Sequence, residues 1–235
     1  MAPTPRQLAR EHTMREIVRI GRAQLATVGP ADVSLRAVAR ELGVVSSAVY
    51  RYVRNRDELL TLLIIDAYDE LGDTVDAALA DDPGDPGDPG DPRARLLTAA
   101  RAVRAWGLRE PSSYALLYGT PVPGYAAPAE LTTQPGTRVA LALVQIVIAA
   151  SEAGRLRPSG PEVPDGVQED MERIRAEVGL ELPVGSLAAA FQLWSGLFGL
   201  VSFDVFDQWG PDTLTDRAGF FDYQVGLLGD LVGLT

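Results

Sequence analysis

The strongest structural signal in the sequence lies in residues 33–59, VSLRAVARELGVVSSAVYRYVRNRDEL. Ser34 is a good N-cap for a helix that runs from Leu35 to Leu42. Gly43 follows that helix directly, at the position where a left-handed C-cap residue belongs. A second short helix fits from about Ser46 to Val53. The segment therefore predicts two helices joined by a tight turn, which is a helix-turn-helix.

The second of these helices has a face suited to DNA. Its other face is apolar and is expected to form a small core with the first helix, from Leu35, Val38, Leu42, Val49 and Val53. The remaining face carries hydrogen-bond donors and aromatic rings with no acidic residue, namely Ser46, Ser47, Tyr50, Arg51 and Tyr52. This pattern is typical of a recognition helix that lies in the major groove of DNA.

Charge is distributed unevenly along the chain. The whole protein has a formal net charge of −11, which by itself argues against a nucleic-acid partner. Residues 1–56, however, hold ten arginines and four acidic residues, a net charge of +6, and the remainder carries −17. A basic N-terminal module favours contact with phosphates, while the acidic body repels DNA. The alternative is a solvated arginine face on an ordinary helical domain, which the helix-turn-helix pattern disfavours.

Composition and motifs exclude several function classes. A chain of 235 residues, 46% of them hydrophobic, can form one large domain or a small module plus a larger one. It has no cysteine and one histidine, so thiolate metal sites are excluded and His12 is expected to be a solvent-facing polar residue. No nucleophile elbow, phosphate loop or paired metal ligands occur in the sequence. We therefore expect no catalytic residues, no metal and no cofactor.

The sequence also indicates where the protein works. The N-terminus has no apolar signal core. The longest apolar run, residues 139–150, is interrupted by Gln145 and is too short to span a bilayer. We therefore expect a cytoplasmic protein with no membrane partner.

The segment from about Glu11 to Leu63 resembles the tetracycline-repressor (TetR) family of bacterial transcriptional regulators. The resemblance rests on the Ser34-capped helix, on residues 42–44 (LGV), on residues 49–52 (VYRY) and on residues 54–60 (RNRDELL), while valine replaces the usual aromatic residue at position 53. It implies a regulator that is not an enzyme. It further implies phosphate contacts for Ser34, Arg36, Tyr50, Tyr52 and Arg56, and leaves Ser46, Ser47, Ala48 and Arg51 as the better candidates for base edges.

The remainder of the chain predicts an all-α fold, since no strand-like alternation appears. Helices are expected at about 6–27, 55–80, 93–108, 112–118, 133–153, 167–178, 184–206 and 213–232. Between two of them an Asp-Pro-Gly repeat at 81–92 predicts a flexible acidic linker, and its spacing disfavours a calcium-binding loop. The predicted domains are a three-helix DNA-binding domain at 6–56, with connecting helix 55–80, and a larger ligand-binding and dimerisation domain at 93–235.

Two stretches of the larger domain resemble a C-terminal regulatory domain of the same family that is named for a Trp-His-Gly motif. They are residues 111–119 (PSSYALLYG) and residues 191–203 (FQLWSGLFGLVSF). Trp194 and Gly199 fit the motif, whereas Phe198 stands where the histidine is usual. We expect a mainly apolar effector pocket, unless its aromatic residues simply fill the core. Its predicted lining is Trp106, Tyr114, Tyr118, Val144, Trp194 and Phe198.

An apolar stripe on the last two helices predicts a homodimer interface. Its residues are Leu187, Trp194, Leu197, Val201, Phe221, Val225 and Leu228. A two-fold partner that packs against this stripe would complete a four-helix interface. The alternative is that the stripe packs only within its own domain.

These patterns favour a homodimeric, ligand-responsive transcriptional repressor. It would bind a double-stranded DNA operator and release it when a small hydrophobic effector occupies the larger domain. Two alternatives keep the same fold: a constitutive DNA-binding dimer without an effector, and a transcriptional activator. An enzyme is disfavoured because no catalytic motif was found.

Overall fold

The computed structural model describes residues 4–81, 90–157 and 161–235. Across these ranges the protein forms ten α-helices, a 3-10 turn at Pro30–Asp32 and no strand, which confirms the all-α class. The helices are α1 (Pro5–Val28), α2 (Leu35–Glu41), α3 (Ser46–Val49), α4 (Arg56–Asp81), α5 (Pro92–Arg109), α6 (Pro111–Tyr118), α7 (Ala129–Glu152), α8 (Asp165–Val178), α9 (Val184–Val205) and α10 (Arg217–Val232).

Three helix ends differ from the predicted bounds by about one turn. Helix α3 ends at Val49, because residues 50–52 form a turn rather than a further helical turn. Helix α7 begins directly after Pro128 and accommodates Pro135 near its start. Helix α10 begins later than predicted, because the Asp216 carboxylate accepts a hydrogen bond from the Gly219 amide at 2.8 Å and caps the helix there.

The chain divides into two compact units, and each is described by itself. Unit 1 comprises residues 4–70 and 110–136, and unit 2 comprises the rest of the described chain. The boundaries fall inside α4, between α5 and α6, and inside α7. These units therefore do not coincide with the predicted domains 6–56 and 93–235, and that division into domains stays a prediction. Most of the predicted linker 81–92 lies outside the described residues.

Unit 1 is built around the helix-turn-helix. Its core is a single cluster of buried apolar side chains from α1 to α4, which we call the head core: Ile17, Ile20, Leu25, Val33, Leu35, Val38, Ala39, Val49, Val53, Leu59, Leu60 and Leu63. Leu116 of α6 and Tyr125 of the following loop pack against this core. Helix α6 also packs against α1. The head core therefore extends beyond the small core between α2 and α3 that the sequence predicts, because α1 and α4 contribute to it.

Unit 2 contains the C-terminal parts of α4 and α7 together with α5, α8, α9 and α10. Helix α9 lies at its centre and packs against α5, α8 and α10. An ion pair joins Arg104 of α5 to the buried Asp204 of α9, with Nε and Oδ2 2.5 Å apart. The same guanidinium lies 5.2 Å from the ring centroid of Phe221 on α10. Breaking this pair would leave the buried Asp204 as an uncompensated charge, so the contact stabilises the packing of these three helices.

Helix α9 is both long and apolar. Its length and its mean hydropathy of 1.5 would allow it to cross a membrane, the one such helix in the described ranges. These two properties are weak evidence, because the central helix of a folded domain has them too. Within unit 2, 39% of the apolar window is buried.

Candidate nucleic-acid interface

The turn between α2 and α3 has the geometry that the sequence predicts. Gly43 has a φ of +69°, in the left-handed region that favours glycine. The Val44 amide donates to the Ala39 carbonyl at 3.0 Å, and the Gly43 amide donates to the Arg40 carbonyl at 3.2 Å. These two bonds form a Schellman motif, which ends α2 sharply and directs the chain into α3.

Ser34 is the N-cap residue of α2, but its side chain makes no capping bond. Its backbone is instead held by Gln24 of α1, whose Oε1 accepts from the Ser34 amide at 2.8 Å. The Gln24 amide group also donates to the Ser34 carbonyl, at 3.4 Å. Gln24 is buried, and no local sequence pattern marks it out beyond its place in α1. The arrangement leaves the Ser34 hydroxyl available to another acceptor, such as a phosphate.

The polar face of α3 and the turn after it is open to solvent. Ser47 and Arg51 are exposed, Tyr50 is 43% exposed, and Ser46 and Ala48 are half-buried. Val49, on the opposite side, is in the head core. The predicted base-edge candidates Ser46, Ser47, Ala48 and Arg51 are therefore at least partly accessible to solvent, and their contacts with DNA stay a prediction.

Other arginines surround this surface. Arg36 of α2 is exposed. The Arg10 guanidinium lies 5.5 Å from the ring centroid of the half-buried Tyr52, a cation–π contact that connects the start of α1 to the turn after α3. Arg10 was not among the predicted site residues, because a contact between residues 42 positions apart leaves no local pattern in the sequence. We add it to the candidate phosphate contacts.

Arg56 has an internal role that the sequence did not indicate. Its Nη2 donates to the Pro30 carbonyl at 2.7 Å, and its Nε is buried without a partner. Its Nη1 lies 3.8 Å from Asp57. The guanidinium thus connects the start of α4 to the 3-10 turn and supports the head. Its contact with phosphate stays a prediction.

The start of α4 explains why the motif at residues 54–60 contains asparagine and glutamate. The Asn55 Oδ1 accepts from the Glu58 amide at 2.8 Å, and the Glu58 carboxylate accepts from the Arg54 amide at 2.6 Å. This backbone hydrogen bond lowers the pKa of Glu58. The two bonds resemble a capping box and satisfy amides that the helix cannot satisfy itself.

We expect Asn55→Ala to lower the free energy of unfolding by about 1 kcal/mol, the usual cost of removing an N-cap side chain. Urea unfolding monitored by circular dichroism measures this change. Glu58 should add a pH dependence: since its pKa is lower in the folded state, its bond contributes stability near neutral pH and is lost as the pH falls through its folded pKa. An Asn55→Ala protein as stable as the wild type would contradict the capping role.

The predicted effector-pocket residues divide between the two units. Trp106, Val144, Trp194 and Phe198 belong to unit 2, where Trp106 is fully buried and Trp194 is 37% exposed. Tyr114 and Tyr118 belong to unit 1, where their ring centroids are 5.0 Å apart. Burial raises the pKa of Tyr118, so its hydroxyl stays protonated. The predicted lining as a whole stays a prediction.

Unit 1 contains an apolar cavity beside these tyrosines. Its volume is about 190 Å³. It lies between α4, α6 and the loop after α6, and its lining residues are Ile64, Tyr68, Leu116, Leu117, Pro121, Val122, Tyr125, Ala127 and Thr132. Tyr68 packs edge-on against Tyr118, with ring centroids 6.3 Å apart. The Tyr125 and Thr61 hydroxyls are 2.9 Å apart, a hydrogen bond that fixes the loop over α4.

The predicted dimer stripe is largely covered within unit 2. Five of its residues are at most 3% exposed: Leu187, Leu197, Val201, Phe221 and Val225. Leu228 is half-buried and packs on Gly196, where an added Cβ would lie 2.7 Å from the Leu228 Cδ2 atom. The five buried side chains pack within unit 2, and of the predicted set only Trp194 is exposed. The interface built on this stripe stays a prediction. The sequence showed that both helices are apolar but not which side each buries.

Other apolar side chains of α9 and α10 are exposed. They are Phe191, Trp194 and Phe203 on α9, Phe206 just past its end, and Tyr223, Leu227 and Leu231 on α10. Helices α9 and α10 pack against each other. We call these seven residues the α9–α10 face.

Comparison with known proteins agrees with this geometry. Residues 17–63 match the model of "Bacterial regulatory proteins, tetR family", and residues 96–228 match that of "Tetracyclin repressor-like, C-terminal domain". The chain is 45% identical over 223 residues to the HTH-type transcriptional regulator Rv1816 of Mycobacterium tuberculosis (strain ATCC 25618 / H37Rv). The aligned region covers 95% of this chain and 93% of that protein.

Two solved structures share the fold. The crystal structure of the protein SCO4313 superposes with a TM-score of 0.76 at 32% identity, covering 96% of this chain and 98% of that one. A bacterial regulatory protein in the tetR family from Rhodococcus RHA1 superposes with a TM-score of 0.60 at 17% identity, covering 95% and 98%. Together, the helix-turn-helix, the two matched domains and the similarity along almost the whole chain show that this protein belongs to the tetR family: it is a DNA-binding transcriptional regulator and not an enzyme.

Proposed function

We propose that this protein is a homodimeric repressor that leaves its operator when a small hydrophobic molecule binds. The observation that carries the proposal is the exposed polar face of α3, with Tyr50 and Arg51 at its end. This face belongs to a basic N-terminal head, whereas the rest of the chain is acidic. Such a chain meets DNA through one surface only, and its regulation must act on that surface. As a DNA-binding regulator it would act in the cytoplasm.

The α9–α10 face supports the homodimer. Several exposed large apolar side chains on two helices that pack together are a candidate for an interaction site. Two copies related by a two-fold axis would each contribute two helices and form a four-helix interface. The same face offers an explanation for the apolar character of α9 that requires no membrane.

The cavity in unit 1 supports an effector. At about 190 Å³ it is smaller than the pockets of drug-sized ligands, and apolar cavities of similar size accommodate a single aromatic ring. Its lining is apolar apart from the hydroxyls of Tyr68, Tyr125 and Thr132, which could orient one polar substituent. We therefore propose this cavity, rather than the full predicted set of pocket residues, as the effector site.

We expect one-ring hydrophobic compounds, such as substituted phenols and benzoate esters, to raise the melting temperature of the wild type. Ala127→Trp should abolish the response, because Ala127 lines the cavity and the indole would occupy its volume. Ala126→Trp is the matched control, since residue 126 is exposed and does not line the cavity. A thermal-shift screen measures both. A response that survives in Ala127→Trp would place the effector elsewhere.

The decisive experiment is displacement of DNA. Duplexes that the wild type selects from a random pool are labelled, and each stabilising compound is titrated into the complex while fluorescence anisotropy is recorded. Release by a compound that does not release Ala127→Trp supports the proposal. Compounds that tighten DNA binding would favour the activator, and an absence of any effect would favour the constitutive DNA-binding dimer.

A further inference from the structure

One arginine of the head joins three helices of unit 1. Arg22 of α1 places its Nη1 3.2 Å from Asp66 of α4, and its Nη2 lies 2.5 Å from Glu70, one turn further along α4. The same Nη2 lies 2.8 Å from the carboxylate of Glu110, directly before α6. These carboxylates are 44, 48 and 88 residues away in the sequence.

The local geometry shows that Glu110 serves this contact rather than its own helix. It is the N-cap residue of α6, where a side-chain oxygen would ordinarily accept from the first free amides. Its side chain makes no such bond. The carboxylate reaches Arg22 instead, so the start of α6 is tied to α1 and not capped by its own residue.

The cluster holds more negative than positive charge. Three half-buried carboxylates surround one guanidinium, which is itself 27% exposed. Burial raises the pKa of Asp66, the Arg22 charge opposes that rise, and Glu70 adds to it. If Arg22 were withdrawn, the remaining carboxylates would repel one another, so the guanidinium is what allows α4 and the start of α6 to lie together.

Helix α6 contacts both the proposed effector cavity and the head core. Leu116 and Leu117 line the cavity, and Leu116 also packs against the head core. Glu110, the N-cap residue at the opposite end of α6, contacts Arg22. A shift of this short helix would therefore change the distance between the Glu110 carboxylate and Arg22.

We propose that Arg22 is a positioning residue for DNA binding, which transmits the position of α6 to the reading head through Glu110. With the Arg22–Glu110 contact made, α1 holds α2 and α3 in the DNA-competent arrangement. When α6 moves, the contact opens and the head is free to reorient. The inference rests on the proposed effector function only for the event that moves α6.

The test uses Glu110→Gln in the full chain, which keeps the size of the side chain and removes its charge. We expect hydrogen exchange of the α6 amides to accelerate, and the affinity for DNA selected by the wild type to fall about tenfold, within the usual range of coupling between sites. Exchange of the head-core amides should not change. Glu177→Gln is the matched control, because it loosens one exposed ion pair with Arg173 within α8.

A double-mutant cycle separates positioning from mere structural support. If Glu110 acts through Arg22, the Glu110→Gln substitution should have no further effect on affinity in an Arg22→Ala background, and Arg22→Lys should restore part of the loss. Wild-type affinity and α6 exchange in Glu110→Gln, or additive losses in the double variant, would overturn the inference. If Arg22→Ala does not fold, Glu110→Gln alone decides. None of these measurements needs an effector, so failure of the effector proposal would be seen separately.

Discussion

Trp194→Asp is expected to produce a monomer that no longer holds its operator. Trp194 lies on the α9–α10 face, and its ring packs edge-on against Phe191, with centroids 6.3 Å apart. A carboxylate there would have to be buried without a partner in the proposed four-helix interface, which is costly. A dimer can bind its operator with two heads at once, which raises the affinity by a factor on the order of 10²–10⁴. A monomer has one head and loses this factor.

Light scattering at several concentrations measures the assembly, and anisotropy with selected duplex DNA measures the affinity. Val178→Asp is the matched control, because Val178 is a half-exposed apolar residue of α8, outside the α9–α10 face. Circular dichroism should show both variants as helical as the wild type. A Trp194→Asp protein that remains dimeric would show that the partner binds elsewhere.

The position of the substitution matters. Leu228→Asp, which the apolar stripe in the sequence suggests, would place a charge against Gly196 within one protomer. It would therefore damage the contact between α9 and α10 whether or not the protein dimerises. Leu227→Asp avoids this difficulty, because Leu227 belongs to the α9–α10 face and is exposed. It should therefore reproduce the effect of Trp194→Asp.

Features set by neighbouring residues could be predicted from the sequence. The end of α2 depends on Gly43, which alone among its neighbours adopts a positive φ at no steric cost, and the bound was predicted within one residue. The start of α4 depends on Asn55 and Glu58, three residues apart. Both signals act within one helical turn, so no knowledge of the fold was needed to find them.

Features that depend on distant partners could not be predicted. Arg22, Gln24 and Arg56 look like ordinary polar residues of basic helices, and only the fold shows that each has an internal partner. For the same reason the sequence could not say which side of α9 is buried. That helix is apolar almost all round, and its periodicity does not distinguish Leu197, which faces the core, from Trp194, which does not.

The second large effect is expected for Arg51→Ala, which should relax sequence specificity and cost about 1–3 kcal/mol on the preferred operator. Arg51 is exposed next to the end of α3, where an arginine can bond a guanine edge in the major groove. Arg36→Ala is the matched control: it also removes one exposed arginine, but from α2, where a phosphate contact is expected.

The two variants should differ in what they lose. Arg36→Ala should weaken binding to all duplexes alike and reduce the slope of log affinity against log salt by about one unit. Arg51→Ala should instead reduce the difference in affinity between the selected duplex and a scrambled one, because a base contact contributes to the affinity for one sequence only. Anisotropy titrations with both duplexes at four salt concentrations distinguish these outcomes. If Arg51→Ala weakens both duplexes equally, Arg51 contacts the backbone, and the residues that recognise bases must be sought among Ser46, Ser47 and Ala48.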